Sequence, residues 1–347
     1  MNRYNKKSGG NAGHSAKYEL NAGCVTVAPK NRLCIVQFPH PGGEYPISVG
    51  RLGTAKRRDD GRIDVFWNRS YHHRRLVRHR GGYVDKCGVF HESGDLCFWT
   101  EWEAETIATE TCIPSNPLEA QYIHEVICPA RAMPIGVRGN GCRACDSPTN
   151  TDPCVFGKNF KYCFCRQTGR DANWLRHLMP GSLIVFWSQR NDDEHQYFCL
   201  DTVFVVGNEI KDYLTGSASK IKCSTAYNNL TLDRLPVGGE ATFYRGVAFE
   251  EELNKPVYSF TPAKIYGQKD YAKRCFFTID DVNILNAIIN KDAGKDLFNV
   301  RAIRRSSAVD VSVDCVKTIW QKIKDITISK GFVLGVGFDW PMEREYP

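Results

Sequence analysis

Leu183–Trp187, "LIVFW", and Gln196–Gly207, "QYFCLDTVFVVG", are two apolar runs rich in β-branched and aromatic residues, separated by the polar stretch "SQRNDDEH" at 188–195. Runs of that composition read as strands, and the polar stretch reads as a hairpin loop. Just upstream, "DANWLRHLMPG" (171–181) reads as a short helix followed by a Pro-Gly turn. Such a pair is a unit of small β-barrels, including those that cradle modified bases, and it sets a β-rich expectation for the whole chain.

Further strands are expected in "RLCIVQF" (32–38), "RIDVFW" (62–67), "ATFYRGVAF" (241–249), "PVYSFTPAKIY" (256–266) and "FVLGVGFDW" (332–340). "GDLCFWTEWEAETIATETCI" (94–113) alternates well enough for one or two more, with Gly81-Gly82 ahead of it as a turn. Residues 114–150 mix Pro, Gly and small polar residues without a clear period and read as connecting structure. Two helices are expected near the C-terminus. Val282, Leu285, Ile288 and Ile289 share a face of one that opens at Thr278 with Asp281 in the capping-box position; Val313, Val316, Trp320, Ile323 and Ile326 stripe the other, capped by Ser312. The fold class is α+β, with β-rich mixed sheets or a small barrel and a C-terminal pair of helices. The expected organisation is a disordered tail over 1–20, a β-rich catalytic and nucleic-acid-binding region over 21–262, and an α/β region over 263–347 packed on the same core.

The chain has 347 residues, 42% of them hydrophobic and 24% charged, the balance of an ordinary globular protein. No apolar run approaches the ~18 residues of a membrane span, and the N-terminus lacks the apolar centre of a secretory signal. A cytoplasmic location is therefore expected, with no membrane partner and with the fifteen cysteines as thiols. Cys34, Cys97 and Cys199 sit in apolar runs, where a thiol behaves as a small hydrophobe.

Charge is concentrated in one place. Between Arg51 and Arg80 ten Lys/Arg face three Asp, a surplus equal to the whole chain's net charge of +7. Phe66, Trp67, Tyr71 and Tyr83 interleave with these residues, a mixture that suits phosphate contact with one base stacked on an aromatic face. Arg57, Arg58, Arg69, His72, His73, Arg74, Arg75, Arg78 and Arg80 are the candidate nucleic-acid contacts. Adjacent His72 and His73 point oppositely on a strand, so a shared metal ion is not expected.

Five of the fifteen cysteines lie between 142 and 165. Cys142 and Cys145 have the two-residue spacing of a zinc pair, but Cys154 stands alone and Cys163-x-Cys165 has one residue between. Cys142, Cys145, Cys154 and Cys163 thus remain open to a structural zinc ion, to an iron–sulfur cluster or to plain core packing; no cofactor is required. The same stretch has a second reading. "NTDPCVFG" has turn chemistry, and "NFKYCFCRQ" reads as a strand that ends in Cys165 beside Arg166, where a thiolate would be stabilised as a nucleophile. Asp152 is the acid/base candidate, or an Asx-turn acceptor before Pro153, and Gln167 supplies an amide to orient a substrate. His40, Glu101 and Glu103 are candidates to line a pocket.

The blocks "QFPHPGGEYP", "HHRRLVRHRGGYVD", "CFWTEWEAET", "NTDPCVFG", "YCFCRQ", "LMPGSLIVFW" and "FCLDTVFVV", spread over residues 32–262, resemble the DpdC-like component of bacterial DNA 7-deazaguanine modification systems. Asn150, Asp152, Phe156, Gly157, Tyr162, Cys165 and Gln167 carry the match. The resemblance implies an enzyme that converts a cyano-deazaguanine in DNA to the amido form through a Cys165 thioimidate, with the base extruded from the helix and with DNA and other proteins of a restriction-modification system as partners. The competing expectation is a zinc-knuckle protein that binds nucleic acid or reads modified bases in phage defence.

Overall fold

The computed structural model describes residues 31–40, 44, 53–57, 63–67, 74–102, 106–129, 151–167, 172–191, 195–214, 221, 223–232, 240–249, 257–299 and 306–344, a few of them by backbone alone. Arg58, Arg69, His72, His73, Glu103, Cys142, Cys145, Asn150 and the 1–20 segment lie outside these residues, and Arg57 is described by its backbone only. The described part belongs to one unit spanning Asn31–Pro347.

In chain order the strands begin with β1 (Cys34–His40), β2 (Gly53–Arg57), β3 (Ile63–Trp67), β4 (Arg75–Val84), β5 (Phe90–Thr100), β6 (Thr106–Thr111), β7 (Tyr122–Val126), β8 (Cys128–Pro129) and β9 (Lys161–Tyr162). Helix α1 (Ala172–Leu175) precedes β10 (Leu183–Asn191) and β11 (Gln196–Leu214); α2 (Thr225–Leu230), β12 (Glu240–Gly246), β13 (Thr261–Ile265) and β14 (Phe276–Phe277) follow. The chain closes with α3 (Ile279–Ala293), β15 (Ser307–Asp310), α4 (Val313–Ser329), β16 (Val333–Phe338) and β17 (Glu343–Arg344). The protein is α+β and strand-dominated. No helix among the described residues is long and apolar enough to cross a membrane.

The expected hairpin is the centre of a seven-stranded mixed sheet ordered β15-β1-β10-β11-β12-β9, with β14 beside β11. Alternate residues of its central strands enter different cores. Ile35, Leu183, Val185, Trp187, Val203 and Val205 pack with Leu285, Ile289, Val316, Trp320 and Ile323 of α3 and α4. Val36, Phe38, Ile184, Phe186 and Phe204 pack instead with Val155, Phe156 and Tyr162, and with Val77 and Phe98 of the second sheet. Burial on both faces is why "LIVFW" carries no polar alternation. Each such side chain, fully buried, contributes on the order of 1.5–3 kcal/mol.

The helices form as the sequence dictates. Thr278 accepts from the Asp281 amide while Asp281 caps the Thr278 amide, and Gly294 ends α3 in the left-handed conformation. Ser312 caps α4, and the Trp320 indole donates to the Tyr258 carbonyl at 2.8 Å.

The eight-stranded sheet runs β16-β13-β5-β4-β7-β6-β3-β2, and β16 returns to pair with β4, so β4, β5, β13 and β16 close on one another. Two expectations change here. Gly81 and Gly82 are not a turn but the interior of β4, which pairs with β5 on one side and with β16 on the other. A Cβ on Gly81 would lie 2.6 Å from the Gly337 carbonyl oxygen, so glycine serves the close approach of β16. Within 114–150, "YIHEV" forms β7 between β4 and β6. It escapes a periodicity reading because a five-residue strand gives too few repeats, and its Ile123 and His124, which point to opposite faces, are both buried.

Candidate active site

Two strand ends and one loop segment meet between the sheets. β1 runs parallel to β10 with His40 opposite Ser188. β10 and β11 slip register between Phe186, which opposes Thr202, and Trp187, which opposes Leu200, leaving Asp201 as the extra residue of a bulge. Bulges re-aim a side chain, and here Asp201 Oδ1 accepts from Ser188 Oγ at 3.4 Å while Oδ2 faces Arg74 at 3.2 Å. From the other sheet, Arg75 opposes Thr100 in the β4–β5 pair, so Arg74 and Glu101 flank its open end. Arg74 lies 3.2 Å from Glu101 Oε2, and the same oxygen contacts His40 Nδ1.

The result is a chain of buried charge: Arg274 donates to Ser188 at 2.9 Å, Ser188 to Asp201, and Arg74 bridges Asp201 to Glu101, which holds His40. All six side chains are at least 95% buried. Burial pushes His40 down to about 4; Glu101 opposes the shift, while Arg74 and Arg166 reinforce it. The ring is therefore neutral near pH 7 despite its carboxylate neighbour. His40 Nδ1 faces Glu101 Oε2, so Nε2 is the ring nitrogen turned away from that carboxylate. Burial also raises Asp201, against the pull of Arg74 and Arg274, and lowers Arg274 to about 10, where its guanidinium stacks 3.7 Å over Trp99.

The Thr151–Gln167 segment comes to the same place. Asp152 is fully buried and collects three backbone amides: Cys163 on Oδ1 at 3.1 Å, and Phe164 and Cys165 on Oδ2 at 2.8 Å each. Burial raises its pKa, these three donors oppose the rise, and Glu101 is close enough to add to it. The Tyr162 hydroxyl donates to the Cys165 carbonyl at 2.7 Å. Instead of continuing as a strand, "CFCRQ" turns at Arg166, whose φ of 60° is left-handed. Arg166 then lies 5.1 Å over the Phe38 ring and donates to Ser306, and Phe38 packs edge-on against His40 at 4.7 Å. Cys165 is partly exposed, whereas Cys154 and Cys163 are buried.

The sequence candidates are thus divided. His40, Glu101, Asp152 and the Cys165–Arg166 turn are brought together. Gln167 is buried with its amide committed both ways to the Thr242 backbone, at 2.8 and 2.6 Å, so it fastens the turn to β12. Arg74 and Arg75, expected on phosphate, are buried at 1% and 0% exposure. They belong to the interior because β4 is a central strand. Arg78 is held by Asp95 in a two-nitrogen fork and stacks 3.5 Å over Tyr266, while exposed Arg80 donates to Ser93 Oγ from two nitrogens at 3.3 and 3.0 Å. Cys154 exchanges backbone hydrogen bonds with Lys161, and burial pushes its thiol up to about 11. Among the described residues no group of three or more His, Cys, Asp or Glu is arranged to hold a metal ion.

Asp201, Ser188 and Arg274 had escaped the sequence reading. The signal for Asp201 was present, as a single acid inside "YFCLDTVFVV". Arg274 in "AKRCFF" carries no comparable mark. No family model, curated protein or solved structure matches the chain.

Proposed function

We propose that the chain is a base-modifying enzyme acting on DNA, with Cys165 as nucleophile, and that its reaction is hydration of a cyano-deazaguanine to the amido-deazaguanine. The observation that carries this reading is a partly exposed cysteine on a turn tied by Asp152, followed by Arg166, whose guanidinium lies over the Phe38 ring that packs against His40. An accessible thiol next to a cation is the part that cysteine-dependent addition needs.

In this reading the Cys165 sulfur adds to the nitrile carbon while its proton passes through water to the nitrile nitrogen, giving a neutral thioimidate. Water then adds to the same carbon and its proton passes to the same nitrogen. Collapse breaks the C–S bond, returns the thiol and leaves the carboxamide; one water is consumed and no electrons are exchanged. Asp152, first expected to move protons, holds three amides in this reading and so fixes the Cys165 turn. Arg74 and Asp201 position Glu101, and Gln167 positions the turn.

The test is mass analysis of DNA carrying a cyano-deazaguanine after incubation with the protein. Wild type is expected to add one water to the base, and Cys165→Ser to leave it unchanged and to lose covalent trapping by a nitrile probe. An unchanged base with wild type removes the reading. Stoichiometric zinc that disappears on Cys142→Ser or Cys154→Ser would turn the argument toward the zinc-knuckle reader.

A further inference from the structure

At the Ser188 end of the buried charge chain one guanidinium is only half used. Arg274, 1% exposed, donates through Nη1 to Ser188 Oγ at 2.9 Å, while its Nε and Nη2 are buried without a hydrogen-bond partner. Nε–H and an N–H of Nη2 project side by side from one edge of a guanidinium, the spacing that grips two oxygens of a single oxyanion. A buried cation with open donors is held at a cost that such an acceptor removes.

Further donors lie around that edge. Arg190 stands two residues after Ser188 on β10, so both side chains leave the same face, which is also that of Cys199 opposite Ser188. Arg190 Nε is buried without a partner, as is the indole nitrogen of Trp99, the ring over which Arg274 lies at 3.7 Å. Arg190 is close enough to Arg274 that, after burial, its charge is the main cause lowering Arg274 to about 10.

The neighbouring acids are committed elsewhere. Asp201 accepts from Ser188 and faces Arg74. Glu44, whose carboxyl feels both Arg190 and Arg274, accepts the Gln121 amide at 2.9 and 2.8 Å and the Tyr122 amide at 3.0 Å. The Cys199 thiol beside Arg274 is pushed up to about 12 by burial, so it stays neutral and offsets no charge.

We propose that the Nε–Nη2 edge of Arg274, with Arg190 and the Trp99 indole beside it, binds a small tetrahedral oxyanion of the phosphate type. A planar carboxylate is filled by one fork, whereas a tetrahedral ion keeps oxygens out of that plane for the donors of the second arginine and the indole. The occupant is a free ion and not a strand phosphate, because a DNA backbone does not follow a side chain that is 1% exposed. The site is independent of the chemistry at Cys165.

Equilibrium dialysis of radiolabelled orthophosphate against the full chain, with chloride holding the ionic strength constant, tests it. Saturable binding of one ion per chain is expected, displaced by sulfate but not by acetate or by duplex DNA at the same anion concentration. Arg274→Lys keeps a charge but has no fork, and should weaken phosphate at least about tenfold. Arg190→Gln, at a half-buried position, should weaken it severalfold, and Cys165→Ser should leave it unchanged. Melting temperatures in chloride identify the variants that fold, and Arg190→Gln decides the matter if Arg274→Lys does not. Phosphate that fails to saturate, acetate or DNA that displaces it as well as sulfate does, or folded variants of unchanged affinity would each overturn the site.

Discussion

Beneath α3 and α4, the seven-stranded sheet meets Trp320, Ile323 and Leu285 in an apolar core where the Trp320 indole nitrogen donates to the Tyr258 carbonyl and the Trp187 indole nitrogen is buried without a hydrogen-bond partner. At the C-terminal end of β1, between the two sheets, burial is equally deep, but it encloses His40, Arg74, Glu101, Asp201 and Arg274. The apolar region lowers the free energy of folding directly. In the charged one, desolvation opposes every ion pair, so apolar replacements of similar shape would often be as stable or more so. A protein keeps such a cluster at a cost to stability when it needs those groups elsewhere than in water, and that contrast directs attention to His40 and Cys165 as a place for chemistry.

Truncation should hurt both regions most, and for different reasons. Trp320→Ala is expected to cost about 3–5 kcal/mol by opening a cavity, and Arg74→Ala about 3–5 kcal/mol by stranding two buried carboxylates. The distinction lies in the rescue: Phe at 320 should recover much of the loss, whereas Lys at 74 should recover little, because one ammonium cannot serve two carboxylates as a fork does. Urea unfolding of the four variants measures this. A mild Arg74→Ala would break the comparison.

A pH effect of similar size is expected from His40. Its folded pKa, about 4, lies below the unfolded value near 6.5. The stability held by the neutral ring is therefore complete above about pH 6.5 and is lost as pH falls toward 4, by on the order of 3 kcal/mol at about 1.4 kcal/mol per unit. The raised carboxyls of Asp201 and Asp152 act in the opposite sense, taking up protons more readily when folded. Comparing unfolding free energies of wild type and His40→Gln between pH 4 and 7 isolates the histidine. Parallel curves would mean that His40 carries no such linkage.

Asp152→Asn should cost about 1–3 kcal/mol, since an amide oxygen replaces a carboxylate at one end of the three-amide clamp and the other end can only donate. Alkylation of Cys165 should then speed up as its turn loosens, and an unchanged rate would argue that Asp152 does not hold it. Cys165→Ser is expected to leave stability within about 0.5 kcal/mol while abolishing base conversion, the reverse of a core thiol. The smallest effect is at the surface: Arg80→Ala should reduce the salt slope of DNA binding by about 1 and weaken all sequences alike. A sequence-selective loss would mean that Arg80 reads bases.

Much of the frame was legible from residue patterns. The 183–206 hairpin, both capped helices and the returning strand 332–340 follow from apolar runs, capping residues and a 3.6-residue stripe, all of which are local signals. The site was legible only in part. His40, Glu101, Asp152 and Cys165 could be picked out by residue type and by turn chemistry, but nothing local told that His40 and Glu101 would touch, or that Asp152 would bind the amides of residues eleven to thirteen positions later. The basic segment misled for the same reason. In sequence Arg74 and Arg75 look no different from the exposed Arg80 until β7 lies beside β4 at Leu76 and Val77.

By itself the sequence determined the main apolar strands and the two C-terminal helices, where those helices begin, and that cysteine and arginine are concentrated in two short stretches, because propensity, capping and periodicity act over a few residues. Tertiary structure alone decided that Asp201 is turned by a bulge toward Arg74, that Gln167 serves β12, and that two arginines of a basic run are interior. Each of those outcomes depends on which strand lies beside which, and pairing partners far apart in the chain leave no mark on either partner's own residues.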